Sequence, residues 1–151
     1  IDPYYVYDFF FFVGALALTE DGKLVMVKQY RHAYGEVGIE IPGGCVDATD
    51  QSNEDAIARE LLEETGYQFS SYEYLGNISP NTSTNSNVLH MYLARGGRSV
   101  AKQNLDNGEE IEIVILSIVE LKQLLRENKI KQAMHVSCIL YALEKLGELK
   151  Y

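Results

Sequence analysis

The chain has 151 residues, 46% of them hydrophobic, enough for one ordinary domain to bury a core without disulfides or a structural metal. Its net charge of −9, with 13 Lys and Arg against 22 Asp and Glu and no basic cluster, excludes the backbone of nucleic acid as a partner. Two cysteines, Cys45 and Cys138, are too few for a secreted disulfide framework and suit a reducing cytoplasm.

An aromatic run, Tyr4, Tyr5, Tyr7 and Phe9 to Phe12, follows almost directly on Ile1, as expected of a piece that lacks an upstream segment. Phe9 to Leu18 is the longest apolar stretch. It is about half of the roughly 20 residues a membrane helix needs, and acidic residues flank it, so it reads as a buried strand. Phe9–Thr19 and Leu24–Tyr30, joined by Glu20-Asp21-Gly22-Lys23, read as a hairpin. Val37, Ile39 and Ile41 alternate with Gly38 and Glu40 in a short strand that runs into the glycine loop Pro42-Gly43-Gly44.

From Ser52 to Thr65 the period becomes helical, with Ser52 as N-cap, Asp55 three residues on and Gly66 as the stop. Tyr67–Ile78 and Asn87–Ala94 read as strands on either side of a long polar loop, Ser79 to Ser86. Gly96–Gly108 has loop composition, Glu110–Ser117 alternates as a strand, and Val119–Glu127 and Lys131–Leu146 carry helical spacing. No repeat or linker divides the chain, and this order of elements implies an α/β fold, a mixed sheet with helices on both faces.

The helix from Ser52 carries the chemistry. Glu60, Glu63 and Glu64 stand at i, i+3 and i+4, within roughly 100° of arc, opposite Ile57, Ala58, Leu61 and Leu62. Like charges so spaced destabilise a bare helix by a few tenths of a kcal/mol per pair. A hard divalent cation, Mg²⁺ or Mn²⁺, would offset that repulsion and leave coordination positions for water and a phosphate. Arg59 is placed to brace a neighbouring carboxylate. An acidic triplet alone is usually a solvated helix face; here Pro42-Gly43-Gly44 ahead of it allows close backbone approach and Gly66 ends the helix directly after.

These residues resemble the Nudix box, G-x5-E-x7-R-E-U-x-E-E-x-G-U, with U a bulky apolar residue. Arg59-Glu60-Leu61-Leu62-Glu63-Glu64-Thr65-Gly66-Tyr67 matches its second half at every specified position. The first half departs. Counted back from Arg59, the Glu position falls on Gln51, and Gly44 lies one residue too far away. Either Asp50 takes the role after a local bulge or the role is missing.

The resemblance implies an α/β/α sandwich with a mixed β-sheet, and hydrolysis of a diphosphate by a water molecule with metal help. It implies Glu60 and Glu64 as principal metal ligands, Glu63 as a further ligand or water-orienting group, the Gly43 carbonyl as a ligand and Arg59 as support. A general base from a loop before a late strand corresponds to Glu109 or Glu110, with Glu109 preferred.

Gln29-Tyr30-Arg31, Glu36 and Glu40-Ile41-Pro42-Gly43-Gly44 look like the ADP-ribose and nucleotide-sugar pyrophosphatase branch. That likeness implies a small nucleoside-diphosphate substrate, with Arg31 on a ribose or phosphate, Glu36 or Glu40 accepting from sugar or base, and Gly44 at the ligand. It also implies a homodimer. The alternative is a Nudix-fold ligand-binding or regulatory domain without efficient chemistry, on the strength of Gln51 and the extra loop residue. His90 and His135 read as hydrogen-bonded structural histidines, His32 as a neighbour of the pocket, and Cys45 as a small packing residue.

Overall fold

The computed structural model describes residues 2–149. Strands β1 (Phe12–Thr19), β2 (Leu24–Arg31), β3 (Glu36–Glu40) and β4 (Gly43–Cys45) precede helix α1 (Asn53–Thr65). Strands β5 (Tyr67–Gln68), β6 (Ser71–Ile78), β7 (Leu89–Ser99) and β8 (Ile111–Leu116) follow, then helices α2 (Ile118–Arg126) and α3 (Ala133–Lys145). β1 and β7 run parallel and the other strand pairs are antiparallel, so the sheet is mixed.

β1 alternates between two cores, as a central strand covered on both faces must. Val13, Ala15 and Ala17 pack under Ala56, Ile57 and Leu61 of α1, while Leu16 joins Met26, Met91 and Leu93 under Leu121 of α2 and Cys138, Ile139 and Leu143 of α3. Helices thus cover both faces of the sheet.

β1 and β2 pair only at Ala17–Val25 and Leu18–Leu24, then splay apart, and the freed upstream edge of β1 takes β4 at Phe12–Cys45, Val13–Gly44 and Gly14–Gly43. Gly43 has φ +153°, and a Cβ there would sit 2.2 Å from the Val13 carbonyl oxygen. Only glycine brings the chain this close, and the expected glycine loop is in part a short strand under α1.

Ser52 caps α1 by accepting from the Asp55 N–H at 3.0 Å, and Gly66 closes it in the left-handed region. A reciprocal capping box, which the sequence reading did not assign, stands at α2, where Ser117 and Glu120 serve each other's backbone N–H groups.

Several boundaries differ from expectation. β1 starts at Phe12, and Phe9, Phe10 and Phe11 are exposed rather than buried, because among the described residues no strand pairs with them. The single strand expected over Tyr67–Ile78 breaks at Phe69-Ser70 into β5 and β6. β7 runs on through Gly96 and Gly97, which composition had marked as loop. Both glycines answer a packing demand: a Cβ on Gly96 would strike Ser70 Oγ at 2.1 Å, and one on Gly97 the Phe69 ring at 2.4 Å. Leu62, expected in the core beside Leu61, is exposed, since it lies a further 100° round the helix. Among the described residues no helix is long and apolar enough to cross a membrane.

Candidate active site

The helical rotation that hides Leu61 grades the three glutamates. Glu64 is seven residues from Ile57, two full turns, so it borders the buried stripe and is 7% exposed. The side chain of Glu60, one turn back, is 14% exposed and that of Glu63 is 38% exposed. The helix therefore presents its carboxylates in descending order of desolvation, from the core edge to solvent.

Arg59 organises two of them. One nitrogen, Nη1, donates to Glu60 Oε1 at 2.9 Å and to Glu63 Oε2 at 3.0 Å. Among the described residues the other oxygen of each carboxylate has no protein hydrogen bond. The rest of the guanidinium faces away. Nε and Nη2 donate to the two oxygens of Asp50 at 2.9 and 2.8 Å, and Nη2 also donates to the Cys45 carbonyl at 3.0 Å. Asp50, 5% exposed in its side chain, is thus the bidentate partner, and its carboxyl is held below the usual range mainly by Arg59. Of the two readings left open by the shifted spacing, the structure has Asp50 against the arginine, while Gln51 is exposed.

Glu64 receives a different neighbour. The Gly43 N–H donates to its Oε2 at 2.8 Å, tying β4 to α1. Burial pushes the Glu64 carboxyl up to about 8, opposed by that N–H and reinforced by Glu60 and Glu109. Glu60 is raised as well, again chiefly by burial. Gly44 leaves the space these groups occupy: a Cβ there would lie 2.6 Å from all three atoms of the Glu60 carboxyl group. Gly44→Ala should therefore displace Glu60 and lower turnover by roughly 10- to 100-fold without unfolding the chain, as kinetics beside a melting curve would show.

The raised Glu64 carboxyl carries a stability signature. The folded state keeps a proton on Glu64 that the unfolded chain releases near its model value of 4.5. Stability of the metal-free protein should be fully retained below that pH, fall as pH rises toward about 8, and level off above it. A saturating divalent cation should remove most of the fall, and melting curves across that range with and without Mg²⁺ test both halves.

One cleft of about 430 Å³ gathers most of the expected residues: Arg31, Gly43, Gly44, Arg59, Glu60, Glu63, Glu64 and Glu109 all line it. With Asp106 it holds five carboxylates against two guanidiniums, so an anionic ligand would meet net repulsion. Among the described residues no three acidic, histidine or cysteine side chains already converge on a point. The donor set nevertheless fits a hard divalent cation. Glu64 is a desolvated carboxylate without a cationic partner in contact, Glu60 and Glu63 each keep an oxygen available, and such ions complete their shells with water and phosphate.

The remaining expectations divide. Glu109 lines the cleft and Glu110 does not. Glu40 is 5% exposed and fully engaged by Arg31, whose Nε and Nη2 donate to its oxygens at 3.0 and 2.6 Å, so it braces Arg31 rather than facing the cleft. Glu36 is exposed, opposite Arg31 in the β2–β3 register, and lines a neighbouring cavity with Tyr34 and Lys131. The histidines behave unevenly. His90 Nδ1 meets the Tyr74 hydroxyl at 3.1 Å, as a structural histidine does, and His32 is absent from the cleft wall.

His135 was expected to be hydrogen-bonded. It lines the cleft instead, with Nδ1 buried, without a hydrogen-bond partner among the described residues and 3.7 Å from Glu40 Oε2, and burial lowers it to about 4. Cys45, expected to pack, is exposed at the cleft, and partial burial together with Glu60 pushes its thiol up, away from nucleophilic thiolate chemistry. Gln29, the first residue of the Gln29-Tyr30-Arg31 likeness, also lines the cleft, as do Asn104, Asp106 and Gln132, to which the sequence assigned no role. No local pattern marks the last three, since only the packing of α3 and of the loop before β8 brings them there.

A Nudix domain model matches residues 11–137. The chain is 30% identical over 130 residues to a methanol dehydrogenase activator from Bacillus methanolicus, covering 85% of this chain and 70% of that one. It is 33% identical over 97 residues to an ADP-ribose pyrophosphatase from Mycobacterium tuberculosis, covering 64% of this chain and 47% of that one, about half its length. A crystal structure titled ADP compounds hydrolase superposes with a TM-score of 0.79 at 20% identity, over 91% of this chain and 75% of that one, which shows a shared fold. The chain belongs to the Nudix family of pyrophosphohydrolases.

Proposed function

We propose that the chain hydrolyses the diphosphate bond of ADP-ribose or a related nucleotide sugar, giving a nucleoside monophosphate and a sugar phosphate, with Mg²⁺ or Mn²⁺ as cofactor. The observation that carries this reading is the cleft itself. Three graded carboxylates on α1 line it together with Glu109, and Arg31 lines it with one edge of its guanidinium occupied by Glu40.

Glu60, Glu63 and Glu64 would hold the metal. Bound there, it would neutralise charge on phosphoryl oxygens and make a bound water more acidic. Arg59 keeps Glu60 and Glu63 in place through one shared nitrogen. Arg31, about half exposed in its side chain, has Nη1 available to a phosphate while Glu40 holds the rest of the fork. Glu109 accepts the proton of the attacking water. Its Oε2 takes an N–H from Asp106 in its own turn at 3.2 Å, which leaves Oε1 for that task.

A panel of nucleoside-diphosphate compounds with Mg²⁺, read by coupled phosphate release, tests the reading. Turnover of ADP-ribose or a nucleotide sugar is expected, and folded protein that turns over no diphosphate would overturn it. The regulatory alternative drew its motive from the missing glutamate; Asp50 in its place weakens that motive. The exposed Tyr4, Tyr5, Tyr7, Phe9, Phe10 and Phe11 support a homodimer, which light scattering checks through the mass in solution.

A further inference from the structure

The last carbonyls of a helix have no partner inside it and must find one elsewhere. At the end of α1 the segment leading to Glu109 supplies those partners. Val100 and Ala101 N–H groups donate to the Gly66 carbonyl at 2.9 and 3.1 Å, and Asn104 N–H donates to the Glu63 carbonyl at 2.8 Å. The Gln103 side chain completes the set, its Nε2 donating to the Glu64 carbonyl at 2.7 Å. The contact is close enough that a Cβ on Gly66 would sit 2.2 Å from the Ala101 carbonyl oxygen. The loop carrying two of the cleft carboxylates, Asp106 and Glu109, is therefore the C-terminal cap of the helix carrying the other three.

Gln103 does more than cap. The same Nε2 donates to the Ile111 carbonyl at 3.0 Å, where β8 begins after Glu109. One amide nitrogen thus joins the α1 backbone at Glu64 to the chain on the far side of the loop. Between these anchors the turn is held mainly by itself: Asp106 N–H donates to Glu109 Oε2 and Glu109 N–H to the Asp106 carbonyl, at 3.2 and 3.1 Å.

We propose that Gln103 is a positioning residue for the reaction, acting through Glu109: its amide closes the base of the 104–110 loop and sets the distance from Glu109 to the α1 carboxylates. This rests on the assignment of Glu109 made above. A neutral amide suits the task, because both carbonyls need a donor and a charged group there would disturb the acidic cleft. Glutamate would offer no hydrogen to either carbonyl.

Gln103→Leu keeps the approximate shape and removes both hydrogen bonds. It should lower kcat by roughly 10- to 100-fold, the usual effect of removing a group that orients a reacting one, and leave KM within about twofold. In a Glu109→Gln background the same change should have no further effect on kcat. Amide hydrogen exchange at residues 105–110 should quicken at least about tenfold while the middle of α1 is unchanged. Unchanged kcat, an undiminished loss in the Glu109→Gln background, or unchanged exchange would each overturn the proposal. If the leucine variant does not fold, Gln103→Met, equally free of donors and more adaptable, answers the same questions. The exchange measurement needs no turnover, so a failed substrate panel would overturn the assigned function separately from the clasp.

Discussion

Glu64→Gln should move activity and stability in opposite directions. The substitution removes charge without volume, and the Gly43 N–H still finds an oxygen to bond. Loss of the metal ligand proposed here should lower kcat on the order of 10²–10³-fold, comparable with removing one strong electrostatic contact from a reaction centre. In metal-free protein at pH 8, though, the wild-type carboxylate carries a desolvation penalty that glutamine lacks, because burial holds its carboxyl at about 8. Each unit of such a shift corresponds to about 1.4 kcal/mol, so the metal-free variant should be more stable than wild type by an amount on the order of a few kcal/mol. Below the ordinary carboxylate range the two proteins should converge, both then being uncharged at this position. Mg²⁺ should raise the melting temperature of wild type and barely affect the variant. Glu63→Gln should lower turnover with little stability gain, since that side chain is 38% exposed and solvent already screens it. A Glu64→Gln protein that is both active and less stable would remove Glu64 from the metal site.

α1 was legible almost to the residue, since its cap and stop are local and Ser52 and Gly66 sit as read, though of the acidic face expected to stand opposite the core Glu64 is buried. The local pattern did not distinguish Glu64 from Glu63. That difference comes from which part of the acidic face meets the sheet, and it decides which carboxylate is desolvated. Gly96 and Gly97 were read as loop because glycine is a poor strand former. Their place in β7 depends on Ser70 and Phe69, more than twenty residues earlier, pressing on the strand. The α3 side of the cleft was hidden for the same reason. His135 sits in an ordinary amphipathic pattern, and nothing within one turn of it reports that Glu40 lies 3.7 Å away across the fold. Arg31 and Glu40 both appeared as ligand candidates, whereas in the folded chain one fastens the other.

Asp50→Ala should destabilise the protein by about 3 kcal/mol and lower kcat by roughly 10- to 100-fold, while Gln51→Glu should change neither beyond about 0.5 kcal/mol or twofold. The contrast follows from where each side chain stands. Counting along the box points to Gln51, yet Gln51 is exposed and Asp50 takes both outer nitrogens of Arg59. Asp50 thus pairs with Arg59 although it stands one residue further from it than the glutamate position of the box. Without Asp50, Arg59 keeps Glu60, Glu63 and the Cys45 carbonyl as partners but loses the bidentate contact that orients its plane. Its remaining attraction is toward the two carboxylates that would bind metal, so it should settle further onto them and compete with the cation. Weaker metal affinity should therefore accompany the lost turnover, and excess Mg²⁺ should restore part of kcat without restoring the melting temperature. Urea unfolding and metal titration of the two variants separate these effects. A Gln51→Glu protein several-fold faster than wild type would instead mean that the glutamate position of the box is vacant and that Asp50 only tethers the loop.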